Sequence, residues 1–219
     1  MAEPATTGQR RTNVSDMKIG DYIPVRWESP AYVFGKVPVG IVECPVGGQA
    51  VSSITNRFWY MVKVDKGLLI SDRVITNTIS WDFLNTGENI QGYSWSGAGT
   101  IAAGTIRSLT GGVAFATKDG YKATTDQGFG AWPANNEWDR YIANYPVYKI
   151  QEGKNLDDVF HINGIATLCQ DTPINGVGNS ATSAHRTQRK GDAHGFWSNL
   201  SNYSHSLLGF RPVFGYREV

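Results

Sequence analysis

The sequence predicts a β-rich α+β fold, with a small N-terminal β domain followed by a second domain that carries one or two short helices and long loops. Three observations lead there. Gly, Trp and Tyr number 25, 7 and 10 among 219 residues, and apolar runs at helical spacing are few. Several short segments alternate apolar with polar residues and stop at Gly-containing turns. The last stretch, Gly209-Phe210-Arg211-Pro212-Val213-Phe214-Gly215-Tyr216, reads as a terminal strand buried on one face.

Taken in order, residues 1–15 are polar and read as a flexible arm or anchoring tail. Asp16 to Trp27 alternates as a strand, and Pro24 confines it to a sheet edge because it lacks a backbone donor. Ala31 to Val46 alternates again, broken by Gly35 and Gly40. Arg57 to Val64 (RFWYMVKV) is the strongest strand of this half. The turn Asp65-Lys66-Gly67 joins it to Leu68–Ile75 as a hairpin. Ile79 to Leu84 fits a short helix or a strand equally well. Gly92 to Gly104 has no period, and its Gly/Ser/Ala composition places a boundary there. The expected division is an attachment domain over 1–92, a linker over 93–104 and a second domain over 105–219.

That second domain opens with a strand, Ile106 to Ala116, broken at Gly111-Gly112. Asn135 or Asn136 can cap a helix in which Trp138, Tyr141, Ile142 and Tyr145 form one buried stripe, ended by Pro146. Asn155 caps a second short helix with an acidic first turn, Asp157-Asp158. Beyond Ile174 the chain reads as long, polar, Gly-interrupted loops up to the final strand.

Composition bounds function. A net charge of +1 removes the electrostatic case for nucleic acid or an anionic membrane. Neither an apolar signal segment nor a bilayer-length run is visible, so a soluble product made in the cytoplasm without a signal peptide is expected. Cys44 and Cys169 stand far apart with no metal spacing and read as buried thiols. His161, His185, His194 and His205 share no ligand spacing, so no metal is expected. Glu137/Asp139 and Asp157/Asp158 are carboxylate pairs of the kind glycoside hydrolysis needs, but they sit at helix starts, where capping explains them. No catalytic residue and no cofactor is expected, and the chain is not read as an enzyme.

Gly195 to Ser206 is a run of Ser, Asn, Tyr, His and Trp, the composition of surfaces that recognise by adaptable hydrogen bonds and rigid aromatic area. Just before it, His185-Arg186-Thr187-Gln188-Arg189-Lys190 is the densest cationic cluster, balanced between a solvated loop and a contact for anionic groups such as wall teichoic acid phosphates. The expected ligand-binding residues are Arg186, Gln188, Arg189, Trp197, Asn199, Asn202, Tyr203 and His205, all within exposed loops over 178–208.

Two segments also carry a resemblance. Phe129-Gly130-Ala131-Trp132-Pro133-Ala134-Asn135-Asn136-Glu137-Trp138-Asp139-Arg140-Tyr141-Ile142, with Gly209-Phe210-Arg211-Pro212-Val213, resembles the C-type-lectin-like branch that holds formylglycine-generating enzymes and the major tropism determinants of phages. Its landmarks are a Pro-x-x-x-Glu-Trp helix start and a closing Gly-Phe-Arg strand. The resemblance implies a C-type-lectin-like fold for 105–219. It does not extend to oxidase chemistry, because Cys169 stands alone where those enzymes carry a cysteine pair. Calcium-dependent lectin triplets are missing too, and Trp197-Ser198-Asn199 lacks the carboxylate of a Trp-Asn-Asp strand.

Asn13 to Ile23 and Lys66 to Val74 are similar to segments of structural proteins encoded by phages and prophages of Bacillus-like hosts, identified as tail-tip or fibre components. That resemblance implies a virion protein whose N-terminal domain contacts other virion proteins. Its C-terminal loops would bind a host cell-wall polysaccharide or surface protein. A homo-oligomer is expected because multivalency strengthens weak surface contacts; a trimer fits phage spikes, though no heptad or collagen-like repeat specifies three. The alternative is a purely structural virion protein, a capsid decoration or tail component, without receptor binding.

Overall fold

The computed structural model describes residues 2–29, 31–46, 53–95, 104–191 and 193–218. In chain order its strands are β1 (Tyr22–Glu28), β2 (Ala31–Phe34), β3 (Val42–Glu43), β4 (Arg57–Asp65), β5 (Leu68–Ser71) and β6 (Thr76–Asn77). After helix α1 (Trp81–Thr86) come β7 (Tyr93–Trp95), β8 (Gly104–Ser108), β9 (Ala114–Ala116), β10 (Lys122–Ala123) and β11 (Ala131–Trp132). A π-helix (Trp138–Ala143) and α2 (Leu156–Phe160) precede β12 (Ala166–Leu168), β13 (His185–Lys190), β14 (Gly195–Leu200), β15 (Leu208–Phe210) and β16 (Pro212–Tyr216). The β-rich α+β class holds.

β4 shows why an unbroken apolar run becomes a central strand. Phe58 through Val64 are all buried, and the two-residue period sends Trp59 and Met61 to one face, Phe58, Tyr60 and Val62 to the other. The main sheet runs β2-β1-β4-β5-β16-β8-β7, with β3 beside β4, and is covered on both faces. On one face Trp59, Met61, Leu69 and Phe214 meet Trp81 and Leu84 of α1 and the Ala166, Leu168, Leu208 and Phe210 side chains of a second sheet, β14-β13-β12-β15-β6. On the other, Tyr60, Val62, Ile70 and Val213 meet Trp138 and Ile142 of the π-helix and Val159 and Phe160 of α2. A small sheet, β10-β9-β11, packs Phe115 against Phe196 of β14.

The expected β4–β5 hairpin forms, and both Asn caps act as read. Asn136 Oδ1 accepts from Asp139 N–H at 3.0 Å, and Asn155 builds a reciprocal capping box with Asp158. The ambiguous Ile79–Leu84 stretch resolves as α1, capped by Ser80, whose Oγ accepts from Phe83 N–H at 3.2 Å.

Four expectations need correction. β1 lies between β2 and β4, not on an edge. Its pairing with β2 begins only at Val25, and Tyr22 N–H already points to that side, donating to Gln9 O (3.1 Å), so the donor missing from Pro24 faces beyond the end of β2. The N-terminal arm is docked: Ala5 N–H donates to Asp158 O (3.0 Å), Thr7 N–H to Lys149 O (2.8 Å), and Thr6 is fully buried. The two-domain division does not correspond to separate cores. β16 lies between β5 and β8, and β15 pairs with β6, so strands from 1–92 and 105–219 share both larger sheets; residues 96–103 of the expected linker lie outside the described residues. Finally, much of 178–208 is not loop but the β13–β14 hairpin.

The closing Gly-Phe-Arg segment is where the chain passes from one sheet to the other. Arg211 is fully buried between β15 and β16 and lacks a carboxylate partner among the described residues. Its guanidinium donates to Ser71 O (2.9 Å), Phe160 O (2.8 Å), His161 O (3.3 Å) and Thr167 Oγ1 (3.1 Å), tying both sheets to α2. Burial pulls its pKa down to about 10.

Candidate functional site

The β13–β14 register sorts the expected binding residues by face. Directly paired residues share a face, so Arg186 with Asn199, Gln188 with Trp197 and Lys190 with Gly195 lie on one side, and Thr187 with Ser198 and Arg189 with Phe196 on the other. The first side carries the exposed chemistry. Trp197 is 48% exposed. A Cβ on Gly195 would meet Lys190 O at 2.2 Å and the indole at 2.4 Å, so the ring packs close against the glycine, with Lys190 Nζ 4.9 Å from its centroid. Gln188 is buried and accepts from Asn199 Nδ2 at 3.2 Å, which orients the Asn199 amide. Arg186 stacks on Trp81, 4.3 Å from the ring, while its Nη1 donates to Ser183 O and His185 O.

Arg189 corrects the sequence reading. It is fully buried on the opposite side, with its guanidinium forked onto Asp139 (2.5 and 3.1 Å) and donating to Gly111 O (2.8 Å) and Gly195 O (3.0 Å). It is a structural hub rather than a ligand contact. Asp139 in turn accepts from Asn136 Nδ2 (2.6 Å) and Ala131 N–H (3.1 Å). Glu137 binds both nitrogens of the Arg107 fork. These carboxylates are therefore spent on internal pairs, more than the helix-dipole argument anticipated.

Past β14, the turn 201–207 projects the other expected residues. Tyr203 is 41% exposed, and its ring lies parallel to that of His205 at 6.1 Å. His205 is exposed, and its Nδ1 accepts from Leu207 N–H (3.1 Å), which holds the ring against the turn. Asn202 is exposed. Leu200 and Leu207 add half-exposed apolar area, at 49% and 43%.

Two concavities flank this ridge. One, of about 400 Å³, is bounded by Phe115, Phe196, Trp197, Ser198 and Asp126. The other, of about 320 Å³, opens between β6, α1 and the turn at Asn202 and Ser204. Sequence reasoning missed the second, because Thr76 to Phe83 lie more than a hundred residues from the turn they meet. A third hollow, of about 640 Å³, lies near Glu3, Tyr22, Lys154, Asp158 and His161, away from the predicted residues. Two of its polar groups already serve the fold: Glu3 accepts from both Tyr22 and Tyr60 hydroxyls (2.7 and 3.1 Å), and Asp158 closes the α2 capping box.

Both thiols are buried, as read, and burial pushes Cys44 up to about 12 and Cys169 well above the usual thiol range. Among the described residues, three or more His, Cys, Asp or Glu side chains nowhere converge as metal ligands, and no helix is long and apolar enough to cross a membrane. No protein-family model matches the chain, and no similar curated protein or solved structure is found.

Proposed function

We propose that this chain is a virion protein of a phage or prophage tail, attached to the particle through its N-terminal half and binding a host-surface ligand, without chemistry, through the β13–β14 hairpin and the 201–207 turn. The observation that carries the binding reading is the ridge itself. Trp197, Leu200, Tyr203 and Leu207 are each at least 41% exposed within eleven residues, immediately before a strand buried almost throughout. Large half-exposed side chains on a rigid hairpin, interspersed with amides and hydroxyls and flanked by hollows, are what a recognition surface offers.

The test is retention of the full chain on purified host cell walls. A Trp197→Ala, Asn202→Ala, Tyr203→Ala variant should lose at least about 90% of it while melting normally; unchanged retention would sink the reading. The second reading, a purely structural virion protein, draws on Val147 and Tyr148, which are 82% and 78% exposed on a surface remote from the hairpin in sequence. Location of the ridge against neighbouring subunits in the intact particle would favour it.

A further inference from the structure

We propose that the hollow between β6, α1 and the Asn202–Ser204 turn is a subsite for a neutral carbohydrate ring, which deepens and rests on the binding function above. The lining is the first argument. Hydroxyls come from Ser80 and Ser204, an amide from Asn202 and an aromatic face from Phe83, over a floor of Thr76, Asn77 and Thr78. Among the described residues, no charged side chain lines it. An ionic ligand entering it would give up water without gaining a counter-charge, whereas a sugar brings hydroxyls for the Asn202 amide and a C–H face for an aromatic ring.

Phe83 is the second argument. α1 buries Trp81 and Leu84, and leaves Phe83 70% exposed at the rim. An aromatic ring held in water beside a polar floor is well placed for a ligand with one apolar side. Cavity size agrees: about 320 Å³ is at the small end for ligand pockets, which run to about 300–1,000 Å³.

The floor is also strained and pinned. Thr78, a β-branched residue, has φ 58°. Its N–H is shared between His205 O (3.1 Å) and Leu208 O (3.2 Å). Asn77 Nδ2 donates to Ser206 O (2.6 Å), and Asp82 N–H to Ser201 O (3.1 Å). Residues 76–82 and 201–208 are thus locked together before any ligand arrives, which lowers the ordering cost of binding. Asn202 and Ser204 side chains, by contrast, have no hydrogen-bond partner among the described residues. The cations that pointed to an anionic polymer are engaged elsewhere, Arg189 by Asp139 and Arg186 by Trp81.

The experiment is an amide-resolved NMR titration of the full chain with methyl glycosides of glucose, galactose and N-acetylglucosamine, and with a glucuronide as the charged control. At least one neutral glycoside should give saturable shifts centred on residues 76–83 and 202–204, in the millimolar range expected of a single ring. Phe83→Ala and Asn202→Ala should each weaken it at least about fivefold without lowering Tm, since both side chains are exposed. Absence of saturable shifts, insensitivity to both substitutions, or tighter binding of the glucuronide would overturn the subsite. Wall retention in the same variants separates the two claims. Failed titration with retention intact overturns the subsite alone, whereas a successful titration in a chain that ignores host walls upholds it and removes the adhesin reading.

Discussion

Replacing Arg189 with Met would expose how the second sheet is held. The guanidinium is fully buried, forks onto Asp139 and satisfies the Gly111 and Gly195 carbonyls. Methionine keeps the apolar stem but strands a buried carboxylate whose remaining donors are Asn136 Nδ2 and Ala131 N–H. Removing one partner of a buried pair costs about 3–5 kcal/mol. At about 2–4 °C per kcal/mol for a chain of this size, Tm should fall by about 6–20 °C. Arg189→Lys should fall between, because an ammonium cannot reproduce the fork. The double variant Arg189→Met, Asp139→Asn should lose less than the sum of the singles, since the uncompensated charge is gone. Arg186→Ala, which removes a stack worth about 0.5–1 kcal/mol at a part-exposed site, serves as the contrast. The assay is thermal unfolding followed by circular dichroism. An Arg189→Met melt within about 3 °C of the parent, or one less affected than Arg186→Ala, would refute the hub assignment.

Three further outcomes are expected. His161 has its pKa lowered by burial first, opposed by Asp72 and reinforced by Arg73 and Arg211. The unfolded chain therefore binds the proton more readily, and stability present above about pH 6.5 is lost as pH falls toward the depressed folded value; urea midpoints should drop over that window, and His161→Asn, which tolerates the φ of 43°, should flatten the slope. Cys44 and Cys169, both raised by burial, should resist a thiol-reactive disulfide in the native chain and titrate as two groups in denaturant; rapid native labelling of either would contradict the burial. Gly195→Ala should lower Tm and weaken wall retention, because a methyl group there meets the Lys190 carbonyl at 2.2 Å and the Trp197 indole at 2.4 Å; an unchanged melt and unchanged retention would show that the close approach at Gly195 does not matter.

What could be read in the sequence was whatever depended on neighbours in the chain. The hairpin at Asp65-Lys66-Gly67 and the caps at Asn136 and Asn155 are local devices, each satisfied within a few residues. What escaped depended on distant partners. Pro24 looked like an edge residue because sequence does not show where β2 stops. His185 to Lys190 looked like an exposed cationic run, either solvated or in contact with an anion, because Arg189 needs Asp139, fifty residues earlier, to be tolerated inside. The polar arm looked loose because its partners, Lys149, Gln151 and Asp158, arrive far downstream. Of the expected site, Trp197, Asn202, Tyr203 and His205 are exposed, whereas Gln188 and Arg189 are buried.

The place of β16 has a consequence for biogenesis. This segment is the latest-made of the described strands, yet it fits between two that precede it, β5 and β8. Until it leaves the ribosome, both of those strands present unsatisfied ladders, and Val213 and Phe214, each contributing about 1.5–3 kcal/mol once buried, are missing from the two faces they fill. A nascent chain halted short of Pro212 would thus be an open-edged, self-adhesive intermediate rather than a smaller version of the finished molecule.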